Sequence, residues 1–296
     1  MNVFPFVEAE KAGQHGTVAR SCALLEVSRS AFYEWHKHVP SARQLADEAL
    51  GERIRAIHDE SRGVYGWPRV HGALQAEGVH VGPKRVARIM RENEFVGRCR
   101  RRWIKTTISD PDVTAVDLLK RSFAPSAELD RVYVGDITYI RTWEGWLYLA
   151  TVIDLASRRV VGWAMAEHMH AELICDALRM AIKNRRPAPG AMFHSDRGTQ
   201  YTSTEFTDLL AEHEMIQSLS RPRQCWDKAV AESFFASLKL ECIYRRALPT
   251  RRHARRAVFD YIEVFFNRQR LHSALGYQSP ANYERKIRNH NTAHAA

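Results

Sequence analysis

The sequence predicts an all-α N-terminal part followed by an α/β region built on a mixed sheet with flanking helices. Three observations carry this. Before position 97, apolar residues recur at helical spacing with Pro and Gly as punctuation. Between 132 and 166, three runs rich in β-branched and aromatic residues follow one another closely. From 171 to 220, helical and strand-like runs alternate. A chain of 296 residues, 45% hydrophobic and 26% charged, buries a core of ordinary size and divides into two or three units.

Residues 1–40 are expected to form a helix-turn-helix. A short helical pattern covers 17–25, a break falls at Glu26-Val27-Ser28, and Ser28 is placed to cap a second helix through Phe32, Tyr33 and Trp35. This shape binds DNA in some proteins and nothing in many others. Residues 41–97 repeat the theme with stronger punctuation. Leu50, Ile54 and Ile57 mark the apolar face of one helix, and Pro68 opens a second with Val70 and Leu74 inward and Gly78 at its end. Pro83 opens a third helix through Glu94, with Val86, Ile89 and Met90 as its core side. Lys84, Arg88 and Arg91 recur on another side, with Arg85 beside them. That row suits phosphates or base edges in a groove, and a solvated basic surface is the alternative.

Between 98 and 128 periodicity is lost. The stretch from Arg98 to Lys105 is basic and includes Arg100, Arg101 and Arg102, and the residues after it are polar around Pro111. It reads as a linker, either tracking a DNA backbone or serving as a solvated tether. Residues 129–289 then form the α/β core with a basic helical C-terminal part, ahead of a disordered tail at 290–296. Strands are expected over 132–140, 146–153 and 159–166, with hairpin breaks at Gly145 and Ala156-Ser157-Arg158. A helix over 171–184, a strand over 191–196, a helix over 204–213 and a short run at 216–220 complete the pattern.

The net charge of +10 and pI near 9.6 favour an acidic polymer as partner. Residues 221–296 alone hold 15 Lys and Arg against 6 Asp and Glu, which concentrates the excess at the C-terminal end. Five widely spaced cysteines without a C-x-x-C pair suggest neither a disulfide framework nor a structural zinc. No secretory signal pattern opens the chain and no stretch of about 20 apolar residues occurs, so a reduced cytoplasmic setting is expected.

Three acidic residues stand out by context. Asp136 lies inside the first strand-like run, Asp196 ends the run at 191–196 just before Gly198, and Glu232 lies on a helical pattern with 35 residues between it and Asp196. Three hard oxygen donors of this kind can hold a pair of Mg²⁺ ions, which clamp the attacking and leaving oxygens of a phosphodiester. On a helical wheel over 229–242, Val230, Ala231, Phe234, Phe235, Leu238 and Cys242 share the packing side. Glu232 and Lys239, about 700° apart at 100° per residue, share another face.

The runs Tyr133-Val-Gly-Asp-Ile-Thr-Tyr-Ile140, His194-Ser-Asp-Arg-Gly-Thr-Gln-Tyr-Thr-Ser203 and Ala231-Glu-Ser-Phe-Phe-Ala-Ser-Leu-Lys-Leu-Glu241 resemble the integrase core of bacterial insertion-sequence transposases. More narrowly, they resemble the second-frame product of the "IS three" family. Phe266-Asn-Arg-Gln-Arg-Leu-His-Ser-Ala-Leu-Gly-Tyr-Gln-Ser-Pro280 is similar to that family's C-terminal signature. Tyr65-Gly-Trp-Pro-Arg69 and Arg85-Val-Ala-Arg-Ile-Met90 resemble its helix-turn-helix region. Departures fall at Tyr133, Arg223, Lys228 and Phe266, where relatives often carry Trp, Gly, Asn and Tyr.

The resemblance implies an RNase H-like fold with Asp136, Asp196 and Glu232 as an acidic triad and Lys239 holding DNA. It implies two Mg²⁺ ions, with Mn²⁺ able to substitute and Asp136 bridging both. Hydrolysis at a transposon end would expose a 3′-hydroxyl that attacks another phosphodiester in the same site. The partners implied are double-stranded DNA, a second copy of the chain, and an upstream-frame product joined as a fusion; the setting implied is the bacterial nucleoid. Two other readings remain at this point: a recombinase with a covalent phosphotyrosine or phosphoserine link, and a non-catalytic DNA-binding regulator on a similar scaffold.

Overall fold

The computed structural model describes residues 3–13, 16–37, 40–98, 128–220 and 229–295. The chain divides into two compact units, Met1–Arg55 and Ala56–Ala296.

In the first unit, α1 (Phe4–Ala12), α2 (Val18–Leu24) and α3 (Arg29–His36) surround a small core of Val7, Val18, Cys22 and Phe32. The N-terminus of α2 is held by the Thr17 hydroxyl, which accepts from the Arg20 amide at 3.3 Å. Ser28 caps α3 as expected, accepting from the Ala31 amide at 3.5 Å. The helix α1 was not foreseen. Its apolar pattern is too short to register alone, and it is tied down by burial of Val7 and by Phe4 lying edge-on to Phe32 at 6.2 Å. The helix α4 (Ala42–Glu60) crosses from this unit into the next.

The second unit begins with the end of α4, then α5 (Trp67–Ala76) and α6 (Pro83–Glu92). Both α5 and α6 open with Pro in their first turn, where the missing amide costs nothing. Val70, Leu74, Val86, Ile89 and Met90 are all buried, as the spacing predicts. After the residues that lie outside the description come β1 (Val132–Thr142), β2 (Gly145–Asp154), β3 (Val160–Ala166), α7 (Ala171–Arg185), β4 (Met192–Ser195), α8 (Thr204–Glu212) and β5 (Ile216–Leu219). They form a five-stranded sheet in the order β3-β2-β1-β4-β5. The first three strands are antiparallel neighbours, while β4 and β5 run parallel to β1. This is the RNase H-like arrangement.

Successive side chains of a strand face opposite sides of the sheet, and here both sides are buried. Tyr133, Ala150, Val152 and Phe193 join Leu178 of α7 and Phe206 of α8 in one core. Val134, Ile140, Leu147 and Leu149 alternate with them and are equally buried. The helices α9 (Ala229–Glu241) and α10 (Arg251–Phe259) contact β1 and β2. From α10 the chain continues through a π-helical turn, Asp260–Phe266, in which Tyr261, Ile262, Phe265 and Phe266 are buried.

Polar clips fasten the C-terminal region to the sheet. The Asn267 side chain donates to the Val160 carbonyl at 2.9 Å and accepts from the Val160 amide at 3.0 Å, closing the exposed edge of β3 as another strand would. Glu284, on α11 (Pro280–Ala295), accepts from Arg159 at 2.7 Å and is bridged by Arg185. The helix α11 takes in positions expected to lie in a tail; the residues after Pro280 contain no Gly or Pro to end it. Finally, the segment at 65–69 docks on the C-terminal segment 200 residues away. The Tyr65 hydroxyl donates to the Gln269 carbonyl at 3.2 Å and accepts from the Leu271 amide at 2.8 Å, and Arg69 Nε donates to the Leu271 carbonyl at 2.9 Å.

Candidate functional site

Asp136 stands in the middle of β1, opposite Thr151 of β2. On its other side β4 pairs with β1 up to Val134 and His194. Beyond that pair β4 ends at Ser195, and Asp196 follows it directly. Two glycines leave room here. A Cβ on Gly135 would lie 2.3 Å from the Phe193 ring, so only glycine lets the two strands pack at this point. A Cβ on Gly198 would crowd the Asp196 carboxylate itself.

Each carboxylate is anchored locally. Asp136 accepts from the Ile137 amide and Asp196 from the Gly198 amide, both at 2.9 Å. Tyr201 marks the neighbourhood the two share. Its hydroxyl is buried and finds no hydrogen-bond partner among the described residues. Burial pushes its pKa well up, and the charges of Asp136 and Asp196 push it the same way. One hydroxyl therefore feels both carboxylates. Nearby, His194 is fully buried and paired with the Ser218 hydroxyl at 2.9 Å, a positioning role on β4 and β5.

Glu232 and Lys239 come from α9. Lys239 is half-buried, with Nζ 5.0 Å from the centre of the Tyr139 ring. Burial lowers its pKa while Asp136 acts in the opposite direction, which places the ammonium near the first carboxylate. Glu232 is in the first turn of α9 and exposed. Among the described residues no three His, Cys, Asp or Glu side chains are gathered closely enough to hold a metal ion. Asp136 thus acts on both Tyr201 and Lys239, and Asp196 acts on Tyr201.

Of the basic residues singled out on α6, Lys84 and Arg91 are exposed and Arg85 is half-buried. Arg88 is tied to Glu92 one turn along, at 2.8 Å, which takes up part of its charge. Arg100, Arg101 and Arg102 lie outside the described residues, as do Arg223 and Lys228.

A groove that the sequence did not disclose adjoins Lys239. Tyr139, Trp143, Trp146 and Tyr244 are exposed around a cavity of about 600 Å³, with Arg141 and Arg246 also on its wall. Tyr139 and Trp146 meet edge to face at 5.1 Å. Strand alternation does put Tyr139 and Arg141 on one face, opposite Tyr148 and Trp146. Only the folded chain brings Tyr244 and Arg246 to them. Rings of this exposure, interleaved with cations, suit a surface that receives nucleic acid.

Comparison with known proteins agrees with this arrangement. Residues 44–103 match the HTH-like domain family, and residues 127–225 and 232–287 match two integrase core domain families. The insertion element IS600 uncharacterized 31 kDa protein of Shigella sonnei is 39% identical over 90% of this chain and 97% of its own length. Transposase InsF for insertion sequence IS3A of Escherichia coli (strain K12) is 37% identical over 95% of this chain and 98% of its own. A simian T-cell lymphotropic virus intasome, in complex with PP2A regulatory subunit B56 gamma, aligns with 78% of this chain and 73% of its own at TM-score 0.45 and 16% identity, too remote a likeness to carry chemistry across. Identity at this level along nearly the whole length, over an HTH-like domain and an integrase core, means that the chain belongs to the family of insertion-sequence transposases, proteins of DNA transposition and integration.

Proposed function

We propose that this protein binds the ends of an insertion sequence and catalyses metal-ion-dependent DNA cleavage and strand transfer, with Asp136, Asp196 and Glu232 as the acidic set. The observation that carries the reading is that Asp136 and Asp196 both act on the buried Tyr201 hydroxyl, which has no partner among the described residues, while Asp136 also acts on Lys239. Carboxylate oxygens are the donors that Mg²⁺ or Mn²⁺ prefers, and a buried hydroxyl without a partner suits a site completed by a ligand. Asp136 and Asp196 would hold a first ion, and Glu232 on α9 would close the site around a second. When bound, such ions activate a nucleophile, align it and offset charge on the phosphoryl oxygens.

The chain's own part is to fix positions. β1 carries Asp136, Asp196 follows β4, and the Gly198 amide donates to the Asp196 carboxylate at 2.9 Å. Lys239 draws a phosphate of the cut strand toward Asp136, and the aromatic groove alongside takes the adjoining nucleotides. Hydrolysis leaves a 3′-hydroxyl in place for attack on a second phosphodiester. The proposed DNA-binding segment is 41–97, through Lys84, Arg85, Arg88 and Arg91, with Arg100, Arg101 and Arg102 following. Joining two ends requires at least two copies of the chain on DNA, with an upstream-frame product as a further proposed partner.

The test is cleavage and joining of labelled end DNA. Asp136→Asn, Asp196→Asn and Glu232→Gln should each fall to the uncatalysed background while affinity for end DNA is kept. EDTA should stop the wild type, and no protein–DNA adduct should survive denaturation. A wild-type rate in any of the three variants would remove that residue from the site.

A further inference from the structure

Two segments singled out in the sequence, 65–69 and 266–280, have no part in the acidic site, yet they converge on one pocket of about 310 Å³. Arg69 of α5, Arg158 of the β2–β3 turn, and Arg270 and His272 of the C-terminal segment line it. The first residues of α9, Ala229 and Val230, lie on its wall, and Ser233 and Ser273 add hydroxyls at exposed positions.

The pocket is built for an anion. Among the described residues no carboxylate lines it. Glu241 answers Arg270 through two bonds of 2.7 Å, and Asp154 acts on Arg158; both acids stand behind the pocket wall, which among the described residues presents the guanidiniums. Independently, the Nε2 of His272 is buried and has no hydrogen-bond partner among the described residues. Burial and the three arginines push the His272 pKa well below 6.5.

We propose that this pocket seats one phosphate of the DNA strand that leads into the acidic site. Guanidinium groups and serine hydroxyls are donors that phosphoryl oxygens take. The source is DNA rather than a free phosphate because Ser233 on the pocket wall is the next residue after Glu232. A strand held here continues directly to the proposed carboxylates, so the inference rests on the function proposed above.

The test uses the full chain and duplex end DNA, with affinity measured over a series of salt concentrations. Ser273→Glu places a negative charge at the exposed mouth without touching the core, and Arg158→Gln removes one guanidinium. Each should weaken DNA binding about tenfold and reduce the slope of log affinity against log salt by about 0.9, the share of one phosphate. Ser273→Lys should not weaken it. Wild-type affinity and slope in both Ser273→Glu and Arg158→Gln would overturn the proposal. Inorganic phosphate alone is the second probe: if it raises the Tm of wild type but not of Ser273→Glu, with DNA binding unchanged in the variant, the pocket takes free phosphate and the DNA assignment falls. Asp136→Asn, measured alongside, should lose cleavage and keep the wild-type slope, so failure of the acidic site is read on cleavage and failure of the pocket on the slope.

Discussion

A methyl group built onto Gly198 would sit 2.9 Å from Oδ1 of Asp196 and 3.0 Å from Oε1 of Gln200. The glycine is therefore about room and not about backbone conformation; the carboxylate occupies the space a side chain would need. In the sequence Gly198 reads only as a turn after a strand. Which atom fills the gap is decided by the chain folding back through Gln200 and Tyr201. Gly198→Ala should displace the Asp196 carboxylate by a fraction of an ångström to an ångström. A shift of that size at a reacting centre costs up to about a hundredfold in rate. The expected outcome is cleavage of end DNA reduced at least about tenfold, with a Tm close to wild type because the loop is at the surface. Unaltered cleavage in a folded Gly198→Ala protein would show that the carboxylate does not need this position.

The helix α9 shows what periodicity reveals and where it stops. The wheel puts Ala231, Phe234, Phe235 and Leu238 on the packing side, and all four are buried. Glu241, at the last turn, has the look of an exposed helix end in sequence. In the fold it is buried, taking both Arg270 nitrogens at 2.7 Å and the Tyr261 hydroxyl at 2.8 Å. Arg270 in turn donates to Ser237 at 3.0 Å, so one charge pair ties the helix to the segment after the π-helical turn. Burial of a charge is a property of partners, and these partners arrive from 20 and 29 residues further along. Glu241→Ala strands a buried guanidinium and should destabilise the protein by about 3–5 kcal/mol in denaturant unfolding. A loss below about 1 kcal/mol would mean that Arg270 finds another acceptor. Helices α1 and α11 teach the same lesson from the other direction, since each is held or extended by contacts and breaker-free sequence that a short window does not score.

At the scale of the molecule, the C-terminal helix is latched by a charge whose state depends on pH. Burial alone would raise the Glu284 pKa, but Arg185 and Arg159 outweigh it and hold the carboxylate below its ordinary 4.5. A carboxylate with a depressed folded pKa lends stability that is fully present above about pH 4.5 and is lost as pH falls through the lower, folded value. Asp154, raised by burial, works in the opposite sense, so the whole-protein acid profile mixes the two. Glu284→Gln isolates one of them. Its Tm should lie below wild type at pH 7, and the gap should close as pH falls below 4.5; a gap that stays constant down to pH 3 would show that the charge of Glu284 is not what holds α11.

What the sequence determined alone is the order of the strands and helices along the chain and the burial of their periodic faces, because each depends on neighbours within a few positions. The runs at 132–140, 146–153 and 159–166 lie within β1, β2 and β3 to within a residue or two, and Ser28 caps the helix it was expected to cap. Tertiary structure decided everything that needs two distant segments at once: the shared neighbourhood of Asp136 and Asp196 around Tyr201, the aromatic groove beside Lys239, and the meeting of Arg69 with Arg270 and His272. Local free energies select a helix or a strand from the spacing of apolar side chains. Distances between residues 200 positions apart are set only when the sheet closes its core, and chemistry is read from those distances.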